Sequence, residues 1–192
     1  MSVIHEIVLP EAKPDYQWVR GRAVQKVSPA SLHSFVQSAL LEIVRTWARR
    51  RHAGYVGAGW RVRILPKGSD ERRPLTPDVA YFSRESLATI RGGSERDFAF
   101  PPLAPDIAFE VISDTDERAD IEAKRRDYLG AGSLRVMEVY PQRRELLAWH
   151  SPTECVTVRV GNVWTDATFP DLAIRVADLF AEYDEYLSEV RD

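Results

Sequence analysis

A nine-residue run, Pro105-Asp106-Ile107-Ala108-Phe109-Glu110-Val111-Ile112-Ser113, constrains this 192-residue chain more than any other segment. From Ile107 to Ile112 it offers apolar side chains to both faces of an extended strand, with Glu110 as the single exception. A strand that is apolar on both faces belongs in the middle of a sheet covered on both sides. An ionised carboxylate in such a place is costly unless a cation or hydrogen-bond donors compensate it. A metal ion is one such compensation, and an arginine partner is the plainer one.

The flanking sequence supplies the coverings. Residues 16–27 alternate around Gly21 and predict a short hairpin. Ser28-Pro29 reads as an N-cap followed by proline at the first helical position. Leu32, Phe35, Val36, Ala39, Leu40, Ile43, Val44 and Trp47 then recur at helical spacing, predicting an amphipathic helix over 29–52 that Gly54 stops. Trp60–Leu65 alternates as a strand, PKGSDERRP reads as a charged turn, and 76–82 reads as a second strand. Residues 83–104, with a candidate helical turn at SRESLATI followed by Gly92-Gly93 and Pro101-Pro102, read as a surface excursion. Beyond the central run, a helix is predicted over about 117–129, ending at Gly130. Strands follow from 134–140 onward, and a short last helix covers about 176–190. The expectation is one α/β domain over 1–192, with its core at about 16–180: a mixed central sheet flanked by helices, an N-terminal hairpin, and extra antiparallel strands.

Composition narrows the function classes. No apolar run approaches the roughly 20 residues that cross a bilayer, and the N-terminus lacks a secretory pattern, so a cytoplasmic location is expected. Cys155 is the only cysteine. It has no partner for a disulfide or a cysteine-based zinc site, and it lies in an alternating, strand-like run. Net charge is −3, yet residues 20–73 carry twelve Lys/Arg against three acids, while Asp178–Asp192 carries six acids and one arginine. Such polarity fits a polyanion at one end, and equally fits ordinary solvated faces.

Asp78 begins the strand before the central one, where an acid has poor strand propensity. If those strands pair, Asp78 and Glu110 can converge, and two hard oxygen ligands suit Mg2+; taken alone, Asp78 also reads as a turn cap. The residue two beyond Glu110 on the same strand face is Ile112, which supplies no charge. The next helix offers Asp120 and Lys124, four apart, with Tyr128 at the same spacing. Lys124 could reach the end of the central strand, or could form a surface pair with Asp120. Asp106 shares a strand face with Glu110 but is ~13 Å away along the strand, too far to share one metal. His33, Glu42 and Gln17 are further candidate neighbours. No glycine-rich phosphate loop is present to favour a smaller phosphate ester.

Taken in order, Pro77-Asp78, PDIAFEVIS at 105–113 and D-x-x-x-K-x-x-x-Y at 120–128 resemble the Uma-type restriction-endonuclease family of the PD-(D/E)XK nuclease superfamily. The resemblance extends to YQWVRGRAVQKVSPASLH upstream and FPDLAIRVADLF downstream. It implies Asp78, Glu110 and the backbone carbonyl of Val111 as ligands of Mg2+ or Mn2+. It implies Lys124 as the catalytic lysine, carried on the helix rather than two residues after Glu110. The implied activity is metal-dependent hydrolysis of phosphodiester bonds in DNA, for which a homodimer would be the simplest way to cut both strands. Two departures favour an alternative, a catalytically weak or inactive nuclease-fold protein with a nucleic-acid-binding or regulatory role. Gln17 stands where the family has Glu, and Val136-Met137-Glu138-Val139-Tyr140-Pro141 lacks the family's Trp (at Met137) and Asp (at Tyr140).

Overall fold

The computed structural model describes residues 4–10, 15–26 and 30–191. In chain order the elements are β1 (His5–Glu6), β2 (Tyr16–Val19), β3 (Arg22–Gln25), α1 (Ser31–Arg50), β4 (Gly54–Ala58), β5 (Val62–Ile64), β6 (Glu71–Leu75) and β7 (Val79–Ser83). There follow α2 (Arg84–Ala88), α3 (Glu95–Ala99), β8 (Ile107–Val111), α4 (Arg118–Gly130), β9 (Arg135–Tyr140), β10 (Glu145–Trp149), β11 (Cys155–Arg159), β12 (Val163–Thr165), β13 (Ala173–Arg175) and α5 (Ala181–Arg191). Ser28 and Pro29, the expected helix start, lie outside the described residues. No helix among the described residues is long and apolar enough to cross a membrane.

A six-stranded sheet in the order β11-β10-β9-β8-β7-β4 organises the molecule. All its pairings are antiparallel except β8 with β9, which run parallel through the α4 crossover. Parallel neighbours require such a long connection, and the helix it contains lands on one face of the sheet. The run 107–111 is buried at every position, as expected for a central strand. Its odd and even residues serve different cores because side chains alternate across a strand. Ile107, Phe109 and Val111 pack with Val36, Leu40 and Val44 of α1 and with Phe169, Leu172 and Phe180 of the C-terminal segment. Ala108 packs on the other side with Val19, Val62, Ile64, Ala123 and Tyr128. Glu110 therefore faces this second layer, made from the hairpin, the small β1-β6-β5 sheet and α4.

One sequence expectation needs correction and another is extended. The charged stretch after Leu65 is not only a turn, because Glu71–Leu75 forms β6 between β1 and β5. Its charges conceal the pattern: Arg72 donates to the carbonyls of Arg63 and Pro102, and Arg73 bonds Asp127. The excursion at 83–104 carries two short helices, α2 within the expected helical turn and α3 beyond it, each capped at its N-terminus by a serine, Ser83 and Ser94. Gly54 is required where β4 meets β7, since a Cβ there would lie 1.9 Å from the Phe82 carbonyl oxygen.

Candidate functional site

Register brings three acids side by side on one face of the sheet. Val79 pairs with Phe109 in the antiparallel β7–β8 ladder, which sets the preceding Asp78 opposite Glu110. In the parallel β8–β9 ladder Glu110 pairs with Glu138. Their exposures are 5%, 5% and 1%. Like charges on adjacent strand positions repel, the more so away from water. Each acid accordingly has its own cation.

Asp78 is anchored through its backbone, whose N–H donates to Phe109 O (3.0 Å) and whose carbonyl accepts from Gln37 Nε2 (2.8 Å). Its Oδ2 accepts from the Val111 N–H at 2.8 Å and lies 3.3 Å from His33 Nε2. Its Oδ1 accepts from Lys26 Nζ at 2.9 Å, and the same ammonium donates to the Thr76 carbonyl at 2.9 Å. Burial pushes this carboxyl up, but the His33 hydrogen bond and the Lys26 charge outweigh it and hold Asp78 well below the usual carboxylate range. A depressed carboxyl stabilises the fold above its unfolded pKa and loses that contribution as pH falls towards the folded value. Denaturant titrations should therefore show wild-type stability declining below about pH 4, the ordinary aspartate range. Asp78→Asn should start lower at neutral pH and show a shallower acid decline; an unchanged slope would detach this stability from Asp78.

Glu110 receives both its partners from α4. Lys124 Nζ donates to Oε2 at 2.9 Å and Tyr128 OH donates to Oε1 at 3.0 Å. These two residues are one helical turn apart, so a single face of α4 delivers both. Burial, helped by the Asp78 charge, pushes the Glu110 carboxyl up against the pull of Lys124. Lys124 is penalised by its own burial, yet Glu110 keeps its pKa above that of a free lysine. We take the pair as ionised at neutral pH, because both Glu110 oxygens accept from donors.

Glu138 is gripped by Arg125, whose Nε and Nη2 donate to its two oxygens at 2.8 and 3.1 Å. Tyr140 OH adds a bond at 2.9 Å, and the Arg125 guanidinium stacks 3.5 Å from the centre of the Trp149 ring. Sequence reasoning missed this pair and also missed Lys26. Glu138 carried the same signal as Glu110, an acid inside an apolar strand, but was seen only as part of a departure from the family pattern.

A cavity of about 200 Å³ opens beside Glu110 and Lys124, lined also by Gln17, Arg22, Asp120 and Glu138. Gln17 is buried, and its Oε1 has no hydrogen-bond partner among the described residues. Of the neighbours expected from sequence, His33 and Gln17 reach this region, whereas Glu42 is solvent-exposed on α1. The Asp120–Lys124 surface pair does not form, because Asp120 bonds Arg20 (3.2 Å) and Arg22 (2.6 Å) of the hairpin and Lys124 turns inward. Asp106 lies away from the acids and accepts from the Ser83 N–H and the Ser86 hydroxyl. Among the described residues, no three His, Cys, Asp or Glu side chains form a group that could hold a metal ion.

The family described as "Uma2: Putative restriction endonuclease" matches residues 5–177. A solved structure described as a "putative nuclease belonging to DUF820 from Anabaena variabilis ATCC 29413" is similar in fold, with a TM-score of 0.75 at 18% identity. The match covers 90% of this chain and 93% of that one. No curated protein matches.

Proposed function

The chain belongs to the Uma2 family, a nuclease-like family related to the PD-(D/E)XK enzymes, and on that premise we propose that it binds nucleic acid on a nuclease scaffold whose hydrolytic activity is weak or lost. The observation that carries this reading is the neutrality of the acid row: Lys26 and Lys124 already occupy Asp78 and Glu110 at 2.9 Å each. A divalent cation entering here has to displace an ammonium from a buried carboxylate, and breaking such a pair is costly. The absence of a three-ligand His/Cys/Asp/Glu group among the described residues points the same way.

A second reading, an endonuclease dependent on Mg2+ or Mn2+, is favoured by the donor chemistry. Two hard carboxylates on adjacent strands and the unpartnered Gln17 amide oxygen beside Glu110 fit a hard cation. Asp78, Glu110 and the Val111 carbonyl would hold it, and when bound it would supply Lewis-acid polarisation of a phosphodiester oxygen. The chain's own share would be the Lys124 ammonium, a fixed positive charge beside the scissile phosphate, and the Tyr128 hydroxyl, which fixes the Glu110 rotamer.

One set of assays separates the two. With duplex DNA, gel shifts in EDTA should show binding. Plasmid incubated with Mn2+ or Mg2+ should show no nicking beyond that of Glu110→Gln protein. Calorimetric titration with Mn2+ should show weak uptake that rises at least tenfold in Lys26→Met. Metal-dependent nicking by the wild type that disappears in both Glu110→Gln and Lys124→Ala would establish the endonuclease instead.

A further inference from the structure

Most of the basic stretch between residues 20 and 73 is consumed internally. Arg20 and Arg22 pair with Asp120, Lys26 with Asp78, Arg51 with Asp171, Arg61 with Asp15, Arg63 with Glu6 and Asp97, and Arg73 with Asp127. These seven cations are therefore poorly placed to hold a polyanion. A different set remains. Arg45, Arg49, His52 and Arg84 line a groove of about 400 Å³ at the outer edge of the six-stranded sheet, together with Tyr55. Among the described residues no acid lines this groove, and none of Arg45, Arg49 and Arg84 forms an ion pair.

Local structure explains each residue only in part. A basic last turn suits the C-terminal end of α1, which accounts for Arg49. Arg45 touches the Val56 carbonyl, and Arg84 donates from Nε to the His52 carbonyl at 2.8 Å. Neither contact uses the whole guanidinium fork. Arg84 comes from a separate element, just after β7, and its guanidinium sits 5.4 Å from the centre of the half-exposed Tyr55 ring. Three guanidinium groups from two elements thus face one groove with their mutual repulsion uncompensated, and Arg forks match phosphate geometry.

We infer that the Arg45–Arg49–Arg84 groove is a second nucleic-acid contact, seating backbone phosphates of the strand that enters the Asp78–Glu110 region. The inference rests on the reading of the protein as a nucleic-acid binder. Spacing supports the link. Helix α1 starts beside Asp78 with His33, and Arg45 and Arg49 lie roughly 18 and 24 Å farther along it. A duplex advances about 3.4 Å per base pair, so that distance corresponds to roughly five to seven base pairs.

Fluorescence anisotropy with a labelled duplex, in EDTA and over a salt series, tests this. The double variant Arg49→Glu/Arg84→Glu should bind at least tenfold more weakly, with the slope of log affinity against log salt reduced by about two. The milder Arg49→Gln/Arg84→Gln should show a smaller loss in the same direction, and unchanged thermal midpoints would exclude misfolding. Wild-type affinity and slope in both variants overturn the inference alone if DNA binding still responds to Lys124→Ala. A wild type that binds no DNA overturns the inference and the function it rests on together. Loss of inorganic-phosphate binding with DNA binding untouched marks a small-anion site and also overturns it.

Discussion

Arg125→Ala is expected to destabilise the protein by about 3–5 kcal/mol, because it strands Glu138 as a bare charge in the sheet interior. Glu138 is 1% exposed, and of its partners among the described residues the Tyr140 hydroxyl alone would remain. The loss of the guanidinium stacked on Trp149 adds to the effect. The reciprocal experiment distinguishes charge from shape. Glu138→Leu combined with Arg125→Met removes both charges while keeping apolar volume, and such replacements are often neutral or better. Urea unfolding of the single and double variants would show near-recovery in the double. A double variant as unstable as Arg125→Ala would mean that packing, not the stranded anion, sets the cost.

Lys124→Met should be nearly as severe, about 3 kcal/mol near pH 8, but with an opposite remedy. Glu110 would keep its Tyr128 bond and lose its cation, so its already raised pKa should climb further. A carboxyl whose folded pKa exceeds its unfolded one contributes stability below the unfolded value and loses it as pH rises through the folded value. The deficit of Lys124→Met relative to wild type should therefore shrink on acidification from pH 8 to pH 5. Arg125→Ala provides an internal comparison at the neighbouring acid. A pH-independent deficit in Lys124→Met would show that Glu110 does not take up the proton.

The difference between these residues also shows what the sequence could reveal. The apolar run around Glu110 announced a central strand because alternation and burial are local properties of consecutive residues, and Ile107–Val111 is buried throughout. The same logic reached Asp78, since a strand pairing needs only two neighbouring segments, and it reached Lys124 through helical spacing. It failed for Lys26, whose approach to Asp78 depends on how the hairpin folds over the sheet, a relation between residues 52 positions apart. It failed for β6, whose charged residues mimic a turn until their partners across the chain are known. It left the basic stretch open between a polyanion and ordinary solvated faces for the same reason: charge can be counted in sequence, but whether Arg63 meets Glu6 or a phosphate is a tertiary fact.

One helix serves two anions. Adjacent residues of α4, Lys124 and Arg125, neutralise Glu110 and Glu138 on adjacent strands, so the helix has no freedom to slide along the sheet. A shift of one residue would uncover both acids at once. The tie between α4 and the tip of the β2–β3 hairpin is of a different kind, made by the solvent-exposed Arg20 and Arg22 contacts with Glu117 and Asp120, while Lys26 holds the other end of the hairpin on buried Asp78. The α4 wall of the cavity is thus locked by buried charges, and the hairpin tip meets it through charges that water can screen.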